Sequence, residues 1–371
     1  MHTQTHHLTS PATGTQRTLH SLHFGQAGHG QKIYIQASLH ADELPGMLVA
    51  HHLRGLLTTL EDEGQLLGEV VLVPIANPIG LDQTVMFTQL GRFELASGEN
   101  FNRHYPDFAN AIVDTVAPLL TQDAGHNREV IRAAMREWLS QQPTVTELAS
   151  LRNTLMRLAC DADVVLDLHC DFEAAMHVYV ETPYLEQVQP LAQTLGARAV
   201  LWAQSDSPTL CFDEALSGVW WRLRQRLHNH PIPLACMAST IELRGQTDVN
   251  HVQAHADAQA IVDFLIHRQV IVGTTSLPVA QCEATPLAGS QTLYAPHAGV
   301  ISYHAEPGQL LTVGDVVADI VCPATALVTP VLAEVDGVLY ARHIVRWACS
   351  GMDIGKIAGA TAFKTGPLLS A

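Results

Sequence analysis

Lysine is almost missing from this chain: three of 371 residues, Lys32, Lys356 and Lys364. Lys and Arg together number 20 against 36 Asp and Glu, a net charge of −16 with His neutral. Phosphate backbones and anionic lipids are held by clustered cations, so this balance excludes nucleic-acid and membrane-surface partners. An anionic group on a small substrate would have to be met locally, by particular arginines. No apolar run approaches the ~18 residues that span a bilayer. The start, MHTQTHHLTS, has neither the charged opening nor the apolar block of a signal peptide. The expectation is a cytoplasmic protein, with assembly into a homo-oligomer left open. The cysteines at 160, 170, 211, 236, 282, 322 and 349 are odd in number, scattered and without a Cys-x-x-Cys pair. That pattern fits reduced thiols and argues against a disulfide frame or a structural zinc knuckle.

Apolar residues make up 47% of the chain, too many for disorder, and its length points to two domains. Residues 1–20 read as a flexible polar arm. Over 21–285, runs with strand character (33–39, 69–76, 163–169, 175–180, 199–203, 239–243) alternate with runs of helical periodicity (47–60, 108–120, 128–139, 145–159, 220–228, 254–268). This alternation predicts an α/β domain whose mixed, mostly parallel sheet is covered by helices. Beyond 270 the texture turns linker-like, and 286–371 reads as a small all-β domain of short runs punctuated by Gly and Pro. Its rhythm resembles lipoyl and biotinyl barrel-sandwich domains. Those carry their cofactor on a lysine, and residues 295–354 contain none, so an acyl-carrier role fails.

The chain is organised around residues 31–46, QKIYIQASLHADELPG. Apolar and polar residues alternate over 33–39, predicting a buried strand that ends at His40 and breaks into a turn before a helix. His40 and Glu43 then sit at a strand's carboxyl end, where open α/β sheets place their ligands. An imidazole and a carboxylate three residues apart on a sharp turn can converge on one zinc ion. A second His-x-x-Glu, His126 and Glu129, follows no strand and reads as a solvated helix face. His169 ends a nearly continuous apolar strand and completes a His/Glu/His set, leaving the fourth zinc position to water, as catalytic sites do. Glu242 lies near the end of an apolar strand, where an unpaired carboxylate is costly. It is either the ion-pair partner of Arg244, two residues on, or a general base beside the metal. Arg244 itself is a candidate substrate contact. Arg92 and the pair Asn102 and Arg103 lie in a Gly-rich loop, and an arginine fork suits a carboxylate or a polarised carbonyl.

Taken in order, these pieces resemble the aspartoacylase/succinylglutamate desuccinylase family, a branch of the zinc carboxypeptidase fold: His40-x-x-Glu43, Asn77-Pro78, Arg92, Gly98-x-Asn100-x-Asn102-Arg103-x-x-Pro106, Asp167-Leu168-His169 and Glu242. The resemblance covers roughly residues 30–270. It implies one zinc per chain on His40, Glu43 and His169, a general base at Glu242, carbonyl polarisation by Arg92, and carboxylate binding by Asn102 and Arg103. Relatives often carry Asp where Asn100 stands, and the helical insert over 107–159 is long. The implied activity is zinc-dependent hydrolysis of the amide bond of a small N-acyl amino acid. Two rivals stand beside it: a metallocarboxypeptidase acting on peptides, and a catalytically silent binding protein on the same fold.

Overall fold

The computed structural model describes residues 1–204, 209–366 and 368. The polar N-terminus is not a frayed arm. Strand β1 (His2–His7) pairs antiparallel with β2 (Thr18–Phe24) along its whole length, from His2 opposite His23 to His7 opposite Thr18. Two contacts anchor it: Leu8 is 3% exposed, and the Thr9 N–H donates to Ser150 Oγ at 3.1 Å. Polar composition hid an edge strand, which needs only one apolar anchor when its outer side faces water.

The chain continues through β3 (Lys32–Ala37), α1 (Pro45–Asp62), β4 (Glu69–Val73) and the short α2 (Pro78–Leu81), then a hairpin of β5 (Thr84–Val85) and β6 (Thr88–Gln89). The long insert folds as α3 (Phe108–Val116), α4 (Ala124–Ser140) and α5 (Glu147–Ala159). Next come β7 (Val164–Asp171), β8 (Glu173–Ala174), β9 (His177–Glu181), α6 (Leu185–Leu195) and β10 (Ala199–Ala203). They are followed by α7 (Phe212–Arg226), β11 (Met237–Gly245), α8 (His251–His267) and β12 (Ala284–Pro286). Helix α7 starts well before the periodic run at 220–228, because Glu214 accepts from the Cys211 N–H at 2.9 Å and caps its first turn.

One nine-stranded sheet runs β1-β2-β4-β3-β7-β11-β9-β10-β12. Strands β4, β3, β7 and β11 are mutually parallel; β9 reverses direction against β11, and β10 and β12 follow β9. Alternate residues feed two cores. Ile33, Ile35, Leu166, Leu168 and Ile241 pack under α1, α6 and α8. On the other face Tyr34, Val165 and Ala238 join the core made with α3, α4, α5 and α7. Both faces of β3 are therefore covered, and its polar positions Tyr34 and Gln36 are fully buried. Among the described residues no helix is long and apolar enough to cross a membrane. All seven cysteines are free, four of them buried.

Past β12 the chain forms two antiparallel sheets from β13 (Ser290–Tyr294), β14 (Gly299–Tyr303), β15 (Leu310–Leu311), β16 (Val316–Cys322), β17 (Leu327–Leu332), β18 (Gly337–Arg342), β19 (Trp347–Ala348) and β20 (Asp353–Gly359). One runs β13-β20-β18-β15 and the other β17-β16-β14-β19, around Leu293, Ile301, Ile320, Leu339 and Ile357. This β module is tied to the larger sheet. Strand β8 pairs with β18, and Glu173 meets Arg342 Nε and Arg346 Nη2, each at 2.6 Å.

Candidate active site

Strand β3 ends at Ala37, and Ser38 takes a left-handed backbone (φ +67) that turns the chain out of the sheet. The strand thus ends three residues before His40, where the alternating pattern placed its end, and His40 lies in the turn beyond it. Asn77 holds this turn: its Nδ2 donates to the Leu39 carbonyl at 2.9 Å while its Oδ1 accepts from the Gly80 N–H at 2.8 Å. The Ala41 N–H donates to the Gly91 carbonyl at 3.0 Å. A Cβ on Gly91 would stand 2.2 Å from the Asp42 nitrogen, so only glycine permits this approach, which delivers Arg92 beside the turn.

Three donors converge from this turn and from β7. Glu43 bridges the two rings: Oε1 lies 2.9 Å from His40 Nδ1 and Oε2 lies 2.7 Å from His169 Nδ1. One ligand atom from each residue can be chosen so that all lie within 4.8 Å of one another, and all three residues are buried. The far ring nitrogens are held elsewhere. His40 Nε2 lies 2.9 Å from Asn100 Oδ1, and as only the ring can donate to that oxygen, Nδ1 is left with its lone pair inward. His169 Nε2 faces Asp167 Oδ2 at 3.1 Å, an ion-pair contact rather than an aligned hydrogen bond. Asp167 Oδ1 accepts from Gln36 Nε2 at 3.0 Å, and Gln36 Oε1 accepts from the Tyr34 hydroxyl at 2.8 Å. The polar face of β3 is therefore a relay that orients a ligand. Two imidazoles with their outer nitrogens held, plus a carboxylate, form a donor set that fits zinc.

Electrostatics agree with this geometry. Burial alone would push the Glu43 carboxyl up, but the His40 and His169 rings outweigh it and hold the group far below the ordinary carboxylate range. Burial lowers His40; for His169 the same burial is overcome by Asp167 and Glu43, which raise it.

Glu242 stands opposite His169 in the β7–β11 ladder and shares its face of the sheet. The ion pair to Arg244 expected as its alternative role does not form. Arg244, at φ +62, pairs with Asp257 through both terminal guanidinium nitrogens and lies outside the cavity lining. Glu242 Oε2 is buried with no hydrogen-bond partner among the described residues, and burial, then repulsion from Glu43, pushes its pKa up to about 8. A carboxyl so placed is poised to exchange protons near neutral pH.

The ligands open on a cavity of about 250 Å³ whose lining includes Arg92, Asn102, Arg103 and Glu242. Arg92 Nη1 approaches Glu43 Oε1 and His40 Nδ1, each at 3.3 Å, with its side chain 39% exposed. Asn102 Oδ1 accepts from the Phe212 N–H at 2.8 Å, and Arg103 Nη1 donates to the Asn102 carbonyl at 2.7 Å and to Cys211 Sγ at 3.1 Å. The Asn102 amide oxygen thus fixes the loop against α7, while the residue still lines the cavity. His126 and Glu129 lie on α4 and form no metal arrangement: the His126 N–H donates to the capping Asp123 carboxylate, and Glu129 pairs with Arg128.

Sequence reasoning missed several lining groups. Asp353 and Lys356 reach the cavity from β20 of the β module, with Lys356 Nζ 3.2 Å from Asp171 Oδ2. The signal for Lys356 was its scarcity, being one of three lysines. Glu181, Asp213 and Glu214 also line the wall, and no motif marks them.

The model of the succinylglutamate desuccinylase/aspartoacylase catalytic domain matches residues 29–268. A succinylglutamate desuccinylase/aspartoacylase family protein from Shewanella amazonensis SB2B is 28% identical, with a TM-score of 0.84 over 96% of this chain and 98% of its own. A second, from Shewanella frigidimarina NCIMB 400, is 25% identical, with a TM-score of 0.84 over 96% of each chain. The ectoine utilization protein EutE (DoeB) from Ruegeria pomeroyi shares the fold at 16% identity, with a TM-score of 0.65 over 96% of this chain and 95% of its own. No match was found among curated proteins. With the catalytic-domain match spanning the turn of His40 and Glu43, the His169 strand and Glu242, the chain belongs to the succinylglutamate desuccinylase/aspartoacylase family.

Proposed function

We propose that the chain is a zinc-dependent deacylase that hydrolyses the amide bond of a small N-acyl amino acid. The observation that carries this reading is the convergence of His40, Glu43 and His169 beside the unpaired Glu242. Bound to that trio, zinc would supply Lewis acidity to the scissile carbonyl and to water. Glu242 takes the proton of the attacking water and delivers it to the departing nitrogen, the task for which a carboxyl titrating near neutrality suits it. Arg92, leaning over the turn, meets the oxygen on which negative charge develops. Arg103 holds the carboxylate of the amino-acid part. Arg244, bound to Asp257, has no part in substrate binding on this reading.

The β module favours small substrates over peptides. It contributes Leu287, Asp353 and Lys356 to the lining, so an extended chain would meet a wall where a peptidase needs an open groove. A screen of the zinc-loaded chain against formyl-, acetyl- and succinyl-amino acids, reading free amine, tests the reading. Release from at least one, abolished by chelation, is expected; release from none, with peptides cleaved instead, would overturn it.

A further inference from the structure

Beyond the metal turn the cavity follows the α7 face of the sheet. Its floor is set by strand periodicity: Glu242 and Thr240 on β11, Tyr179 and Glu181 on β9, all pointing the same way. Val180 pairs with Ser239 and Glu242 with His177, so Glu181 lies about 13 Å along the strands from Glu242 at ~3.3 Å per residue. This far end is acidic.

Glu181 is 4% exposed. Its Oε2 accepts from the Ser217 hydroxyl at 2.6 Å and the Trp221 indole N–H at 3.0 Å, whereas its Oε1 is buried with no partner among the described residues. Asp213, 7% exposed, and Glu214 complete this end of the wall. None of the three makes an ion pair among the described residues; Arg222, whose charge reaches Glu181, lies 3.4 Å from Asp107. Burial pushes Glu181 up to about 8, outweighing the hydrogen bonds from Ser217 and Trp221 and the charge of Arg222. A buried carboxyl oxygen without a partner is costly unless something supplies one. All three residues line the cavity. The net charge of −16 also draws cations toward the protein.

We propose that the end of the cavity bounded by Glu181, Asp213 and Glu214 takes a cationic group, so that the acylated amino acid carries a long side chain ending in an ammonium or guanidinium, of the lysine or arginine kind. This rests on the deacylase reading above. Glu181 and Asp213 bind that end group, and the distance from Glu242 requires several methylenes between it and the amide.

The test compares Nα-formyl, Nα-acetyl and Nα-succinyl derivatives of lysine, arginine, norleucine and glutamate on the zinc-loaded full chain. A charge-assisted contact of this kind favours the cationic substrates by about 10- to 100-fold in kcat/KM over norleucine, carried by KM. Glu181→Gln and Asp213→Asn should each collapse that preference while leaving the norleucine rate in place. Free lysine should raise the melting temperature of the wild type more than norleucine does, and not that of Glu181→Gln. Norleucine or glutamate derivatives hydrolysed as fast as the cationic ones would overturn this proposal and leave the deacylase reading standing. Equal losses for all substrates in both folded variants would likewise overturn it, showing that these carboxyls only support the fold. If no acylated amino acid is hydrolysed, the deacylase reading fails and this proposal falls with it.

Discussion

At the scale of single residues, the site separates groups that could hold a metal from those that would orient its ligands. Asn100 belongs to the second kind: its Oδ1 accepts from His40 and from the Asn102 N–H, at 2.9 and 2.8 Å. Loss of such a partner weakens metal affinity about 10–100-fold. Asn100→Ala should show that loss in competitive zinc titration while melting close to the wild type when metal-loaded; unchanged affinity would remove Asn100 from the ligand support. Arg244 has a different role. Removing one member of a buried ion pair costs roughly 3–5 kcal/mol, and with Arg244 19% and Asp257 9% exposed the lower end applies. Arg244→Met should therefore lower stability to denaturant by about 3 kcal/mol and leave turnover per folded molecule unchanged. A large rise in KM without destabilisation would return Arg244 to the substrate. The ligand trio is legible in the sequence because each member stands at a strand's end or the turn after it. Asn100 and Asp167 stand in quoted motifs too, but their role depends on which ring nitrogen they face, and only the folded turn decides that.

At the scale of elements, strand periodicity organises the site: one face of β7, β11 and β9 carries Asp167 and His169, Thr240 and Glu242, then His177, Tyr179 and Glu181. The parallel core was readable as apolar runs, whereas polar β1 and the early start of α7 were not, since edge pairing and capping leave little apolar signal. His177 shows what burial on this face does. Its ring packs against Tyr179 and Tyr340, with centroids 5.3 and 5.0 Å away, and its Nδ1–H donates to the Ala175 carbonyl at 2.8 Å. Burial drives its pKa from the ordinary 6.5 down to about 4. Unfolded, the ring titrates near 6.5, so between that pH and 4 the unfolded chain binds more protons. The stabilisation is complete above about pH 6.5 and is lost as pH falls toward 4, up to about 3 kcal/mol. Denaturant titrations across this window should show His177→Gln with a flatter acid limb than the wild type. Parallel limbs would mean that His177 is protonated in the folded chain.

At the scale of the whole molecule, two units make one cavity. The β module reads from sequence as a carrier-like domain lacking its lysine; folded, it lends Asp353 and Lys356 to the wall and is held by Glu173 between Arg342 and Arg346. Nothing in its local pattern reports this, because the contact joins segments far apart in the chain. On the proposed function this joined cavity hydrolyses an amide with Glu242 as the proton carrier. The most direct measurement is the rate of free-amine release from an N-acyl amino acid by wild type and Glu242→Gln at equal zinc content. General-base loss costs ~10²–10⁴-fold, so the variant should bind one zinc, melt as the wild type does and turn over slower by that factor. A Glu242→Gln chain that releases amine at the wild-type rate, with its zinc in place, would show that Glu242 carries no proton in the reaction.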